Sequence, residues 1–174
     1  TNIPSTSLNV FSKKTKFFKR FSNISECDIL IICLPTPLKK NRPDLSHIVS
    51  SMNLIAPQLR KGQLIILEST SYPGTTREKI CEKLNSKFNL GKNFFVGFSS
   101  ERINPGINDK KIDKIPKVVS GYSHKCLNLC VKFYKNLFNH IVKARSLEHA
   151  EFSKLLENIY RSVNIGFINE MKFI

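Results

Sequence analysis

Apolar positions along the chain follow two different periods. Three short runs are almost continuously apolar: Asp28-Ile-Leu-Ile-Ile-Cys-Leu34, Gln63-Leu-Ile-Ile-Leu-Glu68 and Asn93-Phe-Phe-Val-Gly-Phe98. Runs of that length, closed by Pro, Ser or Asn, predict strands covered on both faces. Lys117-Val-Val119 and His140-Ile-Val-Lys143 predict two shorter strands. Between them the pattern changes to helical spacing. One helix is capped by Asp44 and runs to about Ala56, ahead of Pro57; a second follows Thr76 to about Asn85; a third is capped by Ser123 and runs to Phe138. In the first 25 residues, Pro4 and Ser5 suggest a helix start, and Phe17, Phe18 and Phe21 add apolar surface.

The longest helical pattern begins near Ser146. Within residues 150–170, Phe152, Leu155, Leu156, Ile159, Val163, Phe167 and Ile168 recur at helical spacing and form an apolar side. Lys154 and Asn158 lie four apart and project from one face. An ammonium and an amide there can donate several hydrogen bonds into one pocket. Alone, the pair also suits a solvated helix surface.

Strands alternating with helices predict an α/β fold with a parallel sheet and right-handed crossovers. Ligands of such sheets bind beyond the carboxyl ends of the strands. The first three strands end there in Pro35-Thr36-Pro37, Glu68-Ser69-Thr70 and Ser99-Ser100-Glu101-Arg102. Each taken singly is an ordinary turn or cap. Together they bring hydroxyls, a carboxylate and a guanidinium to one edge.

Composition adjusts this outline. The 174 residues suit one domain or most of one, and 41% apolar content supports a core. The net charge is +15, from 28 Lys+Arg against 13 Asp+Glu. The basic residues are scattered, as in Lys13-Lys14, Lys39-Lys40 and Lys110-Lys111, without an arginine-rich arm or zinc finger. A solvated basic surface with an anionic ligand accounts for them better than a nucleic-acid partner. The longest apolar run, Ile29 to Leu34, is far too short to cross a bilayer. Five cysteines, at 27, 33, 81, 126 and 130, include no Cys-x-x-Cys pair, which argues for a reducing cytoplasm over a disulfide framework. His124, Cys126, Cys130 and His140 offer metal-ligating types, but Cys126, Leu129, Cys130, Phe133 and Leu137 read better as a helical core stripe. No metal is expected. No repeat, low-complexity tract or flexible linker occurs. No Gly-x-Gly-x-x-Gly follows a strand to hold a pyrophosphate. The chain opens on Thr1 and closes at Ile174 within a helical pattern, and both ends read as cuts in a longer protein.

Five ordered blocks carry a resemblance. Ile31-Ile-Cys-Leu-Pro-Thr-Pro-Leu38, Leu67-Glu-Ser-Thr-Ser-Tyr-Pro-Gly-Thr-Thr76, Phe98-Ser-Ser-Glu-Arg-Ile-Asn-Pro-Gly106, Pro116-Lys-Val-Val119 and Ala150-Glu-Phe-Ser-Lys-Leu-Leu-Glu-Asn158 resemble the UDP-glucose/GDP-mannose dehydrogenase family. The Glu-Ser-Thr and Glu-Arg blocks are most similar to its UDP-N-acetylglucosamine 6-dehydrogenase branch. The resemblance extends from about Asn2 to the end. It implies a partial Rossmann-type sheet over residues 1–145, lacking the glycine-rich first half. Residues 146–174 would then begin a long central helix that forms a homodimer contact. It implies two NAD-dependent hydride transfers that oxidise C6 of a UDP-sugar to the uronic acid. Pro35, Thr36 and Ser69 would lie at the cofactor, and Thr70 between the nicotinamide and C6. Glu101 would do acid/base or water-positioning work. Lys154 and Asn158 would stabilise the oxyanion at C6, and Arg102 would contact substrate. The nucleotide-sugar domain and its catalytic cysteine would lie beyond Ile174, and none of the five cysteines matches that nucleophile. Ser100 stands where the family usually has proline, and Ser120 where glycine is common. A chain of this extent is expected to be inactive alone. Two alternatives remain at this point: a relative of the 6-phosphogluconate or 3-hydroxyacid dehydrogenases, and a non-catalytic basic domain that binds a polyanion.

Overall fold

The computed structural model describes residues 21, 23–40, 42–100 and 115–173. In chain order its strands and longer helices are β1 (Ile29–Ile32), β2 (Leu38–Lys39), β3 (Arg42–Pro43), α1 (Ser46–Ile55), β4 (Leu64–Leu67), α2 (Glu82–Asn85), β5 (Phe95–Ser99), β6 (Lys117–Gly121), α3 (His124–Tyr134), β7 (Ile141–Lys143) and α4 (Leu147–Met171). A π-helical turn, Thr76–Cys81, leads directly into α2. The suggested helix start at Pro4 and the residues Glu101 and Arg102 lie outside the described residues.

Five strands form one sheet in the order β1-β4-β5-β6-β7. β1, β4 and β5 are parallel, as expected, and β6 pairs parallel with β7. The expected α/β fold with a parallel sheet holds, with one antiparallel pairing, between β5 and β6. Antiparallel neighbours need no helical crossover between them, and a short apolar run does not encode its own direction. β2 and β3 form a separate small hairpin. They are too short to leave a periodic signal in sequence.

Burial alternates cleanly along the central strands. Ile65 and Leu67 of β4, with Val96 and Phe98 of β5, face one core with Ile48, Met52, Ile80 and Leu84. Leu64, Ile66 and Phe95 face the other, with Cys126, Cys130 and Tyr134 of α3. Helices thus cover both faces, with α1, the π-turn and α4 on one side and α3 on the other. β1 departs from expectation. It stands at a sheet edge among the described residues, and Ile31 is 42% exposed. The core stripe on α3 holds for Cys126 and Cys130, both fully buried. It does not extend to Leu137, because the helix ends at Tyr134 and Leu137 is 57% exposed.

Close approach of α3 to the sheet sets two glycines. A Cβ on Gly97 would meet Cys130 Sγ at 2.2 Å, and one on Gly121 would meet the Leu127 backbone nitrogen at 2.2 Å. A side chain can turn aside, but a helix backbone cannot. Gly166 on α4 has nothing within 4 Å. Gly121→Ala should therefore destabilise the chain by about 2–3 kcal/mol through overpacking. Gly166→Ala should stabilise α4 by up to about 1 kcal/mol. Urea unfolding of the two variants beside the parent checks both signs.

Candidate active site

The turns after β1 and β4 are stitched into one surface at the carboxyl edge of the sheet. The Leu34 backbone N–H donates to Ser69 Oγ at 2.8 Å, and Thr36 Oγ1 donates to the Thr70 carbonyl at 2.6 Å. The Glu68 N–H donates to the Ile32 carbonyl at 2.9 Å and extends the β1–β4 ladder to the edge. A turn leaving a parallel strand has backbone groups with no ladder partner, and hydroxyls at Thr36 and Ser69 supply some of those bonds. A cleft of about 310 Å³ opens here, lined by residues 33–36 and 68–70. Pro35, Thr36, Ser69 and Thr70, four of the residues expected at a ligand, therefore share one cleft.

Glu68 was counted among the groups gathered at this edge, and its role is different. Its carboxylate accepts from the ammonium of Lys117 at 3.0 Å and from the Tyr134 hydroxyl. Lys117 is almost wholly buried, and its ammonium also lies over the Tyr134 and Phe138 rings, 5.1 and 5.2 Å from their centroids. Burial and the neighbouring Glu68 push the Tyr134 hydroxyl well above the ordinary phenol range. Glu68 is thus the anion of a nearly buried pair linking the end of β4 to β6.

Beyond the cleft the same turn continues through Ser71 to Thr76. Ser71 Oγ is a buried side-chain oxygen with no hydrogen-bond partner among the described residues. Gly74 adopts φ +101, a conformation that suits glycine. The Gly74 N–H donates to Glu151 Oε2 at 2.6 Å, and the Thr76 N–H and Oγ1 donate to Glu151 Oε1 at 2.8 and 2.6 Å. Nearby, Arg77 Nε donates to Glu148 Oε1 at 2.6 Å. That hydrogen bond holds the Glu148 carboxyl down to about 2.

These contacts dock α4. Ser146 Oγ caps it by accepting from the His149 N–H, and Leu147 and Ala150 enter the core. Lys154 and Asn158 follow on the helix, both half-buried. The apolar side anticipated for this helix runs along Phe152, Leu156, Ile159, Val163 and Phe167, and these five are 47% to 64% exposed. The inward side carries Glu151, which pattern analysis passed over. A glutamate three positions before a lysine reads as a surface ion pair, and only its fixed spacing from Lys154 and Asn158 could have marked it.

The residues at the cleft suit a small polar ligand. They offer hydroxyls and backbone groups in a volume at the small end of ligand pockets. Buried Ser71 adds an unpartnered oxygen in the same turn. No helix among the described residues is long and apolar enough to cross a membrane.

Comparison with known proteins identifies relatives of the chain. The chain is 34% identical over 94% of its length to a UDP-N-acetyl-D-glucosamine 6-dehydrogenase of Pseudomonas aeruginosa, of which it spans 40%. A UDP-N-acetyl-D-glucosamine 6-dehydrogenase of Salmonella typhi is 34% identical over 91% of the chain, which spans 38% of it. The solved structure of a UDP-D-ManNAc dehydrogenase from Pyrococcus horikoshii superimposes on 85% of the chain with a TM-score of 0.79 at 33% identity, over 36% of that protein. The chain thus spans about two fifths of the length of these relatives. Residues 6–139 match the description "UDP-glucose/GDP-mannose dehydrogenase family, NAD binding domain", and the chain belongs to that family.

Proposed function

We propose that this chain is the catalytic-edge portion of an NAD-dependent dehydrogenase that oxidises C6 of a UDP-N-acetylhexosamine to the uronic acid. Residues 1–145 would supply the later part of the NAD-binding domain, and residues 146–174 the start of the central helix. The observation that carries this is the joining of the β1 and β4 turns through Thr36 Oγ1 and the Thr70 carbonyl at the sheet's carboxyl edge. It is the position where doubly wound sheets bind their ligands. The relatives named above supply the substrate class.

NAD, when bound at this edge, would supply the hydride acceptor. The residues of this chain would contribute the following parts of the site. Pro35, Thr36 and Ser69 would hold the nicotinamide end, and Thr70 would stand between it and the sugar C6. Hydride can leave C6 only as the hydroxyl proton is also lost, so the oxygen carries alkoxide character on the way to the aldehyde. Lys154 and Asn158 would donate to that oxygen from one face of α4, with two fixed donors aimed at the developing charge. Glu101 would accept a proton or orient water, and Arg102 would bind substrate through its planar fork. The abundance of positive charge, +15 overall, favours a polyanionic nucleotide-sugar ligand. Five free thiols suit a reducing compartment, and we assign the protein to the cytoplasm.

The exposed stripe on α4 favours a second copy of the chain as its cover. Phe152, Leu156, Ile159, Val163 and Phe167 repeat at spacings of three and four and stay uncovered among the described residues. A contiguous apolar face of that kind marks an interaction surface, and a helix pairing with its own copy gives the closed two-fold contact that most oligomers use.

With the full-length protein, two NADH should form per UDP-sugar consumed, and a one-to-one ratio in a coupled absorbance assay would contradict the double oxidation. In the same assay Lys154→Ala should lower kcat by about 100- to 1,000-fold, as expected for loss of one oxyanion donor. Residues 1–174 alone should form no NADH. Phe167→Glu should convert a dimer to a monomer in light scattering coupled to size exclusion; an unchanged mass would place the contact elsewhere.

A further inference from the structure

We infer that Glu151 is a positioning residue, fixing Lys154 and Asn158 on α4 in register with the turn that bears Thr70. This rests on the role proposed for Lys154 and Asn158.

Glu151 is fully buried, and both of its carboxylate oxygens are engaged. Its three donors all belong to the turn after β4: the Gly74 N–H, the Thr76 N–H and the Thr76 hydroxyl. The near end of that turn is tied, through Ser69 and Thr70, to Leu34 and Thr36 in the turn after β1. Glu151 ties the far end to α4. The turn is therefore fixed at both ends, and one of its anchors is the helix itself.

Helical spacing gives this anchor its consequence. Lys154 is three residues on from Glu151 and Asn158 is seven, so all three lie along one face at successive turns. A rotation or slide of α4 that broke the Glu151 bonds would carry both donors with it.

Docking does not rest on the carboxylate alone. Leu147 and Ala150 already place the start of α4 in the apolar core, and the Arg77–Glu148 pair adds a tie at the surface. An apolar side chain at position 151 would avoid the cost of removing a charge from water, but it would leave the Gly74 and Thr76 donors without this acceptor and would fix no register. Burial does push the Glu151 carboxyl above its ordinary range, against the pull of its three donors. A carboxylate with directed bonds contributes what an apolar contact lacks, a single allowed register. Small errors in register are costly in catalysis: displacement by about 1 Å can cost roughly 100-fold in rate.

The experiment uses the full-length dehydrogenase containing this segment, with UDP-N-acetylglucosamine and NAD as probes. Glu151→Gln keeps the size of the side chain but turns an NH2 group toward a backbone donor. It should lower kcat by about 10- to 100-fold while both KM values stay within about three-fold. Thr76→Val removes one donor only, and should give a smaller fall in kcat at an unchanged Tm. The two changes together should cost little more than Glu151→Gln alone, since they break one cluster. A lowered Tm with kcat intact in Glu151→Gln means a structural role only and overturns the proposal. If Glu151→Gln does not fold, Thr76→Val decides: reduced kcat upholds positioning, and normal kcat rejects it. Lys154→Ala separates the two claims. Near-normal turnover in that variant defeats the functional reading and the positioning role with it. Loss of turnover there, with normal kcat in Glu151→Gln, defeats positioning alone.

Discussion

A buried carboxylate held by three donors from one turn is the contact on which the arrangement of this chain depends. Two of those donors are backbone N–H groups, at Gly74 and Thr76, and neither has a place in the sheet ladder. Without Glu151 the buried Thr76 N–H would lack this acceptor, at a cost of about 1–3 kcal/mol, and the half-buried Gly74 N–H would lose it too. Without them Glu151 would be a buried charge stripped of water, which is worse. Each side therefore requires the other. The pairing joins two elements 75 residues apart in sequence through Thr76 and Glu151. It also accounts for a local irregularity. Thr76–Cys81 is wound as a π-turn, and its first residue presents both its N–H and its hydroxyl to Glu151 Oε1. Such turns recur at functional sites because they re-aim side chains without ending the helix.

The second constraint lies at the same sheet edge. Glu68, Lys117 and Tyr134 form a nearly dry cluster behind the cleft, joining β4, β6 and α3. It holds the strand from which the catalytic-edge turn departs. Ser99, at the end of β5, adds a hydroxyl bond to the Val118 carbonyl at 2.9 Å. The strand ends are thus cross-linked sideways by side chains where the backbone ladder stops. A rigid rim with mobile ligands above it is a common arrangement for a site on loops.

Much of the fold could be read from sequence because burial on two faces leaves a strong mark. Leu64–Leu67 and Phe95–Ser99 are buried at every position, and their apolar runs announced them. Ser123 and Ser146 both cap their helices through the side chain, as their position before an apolar period implied. What was not legible involved partners distant in sequence or direction in space. Nothing in Lys117-Val-Val119 says that β6 runs against β5. Ile31 belongs to a run as apolar as the others, yet it sits on an edge strand. Of the cleft, Pro35, Thr36, Ser69 and Thr70 could be placed at one rim from strand ends alone. Glu68 and Glu151 could not be assigned, because a charged residue in sequence gives no sign of whether it meets water or a buried cation.

α4 shows why that distinction matters for function. Beyond Leu147 and Ala150, which enter the core, it departs from the usual amphipathic surface helix: Glu151 faces in, and Phe152, Leu156 and Ile159 face out. A helix stabilised mainly by burying an apolar stripe tolerates small rotations, since the hydrophobic effect is non-directional. A helix held by short directed bonds to a carboxylate does not. Using Glu151 for docking leaves the apolar stripe available for a partner while the polar face stays in fixed register. The two sides of the helix are thus available for different purposes, because they are held by different kinds of force.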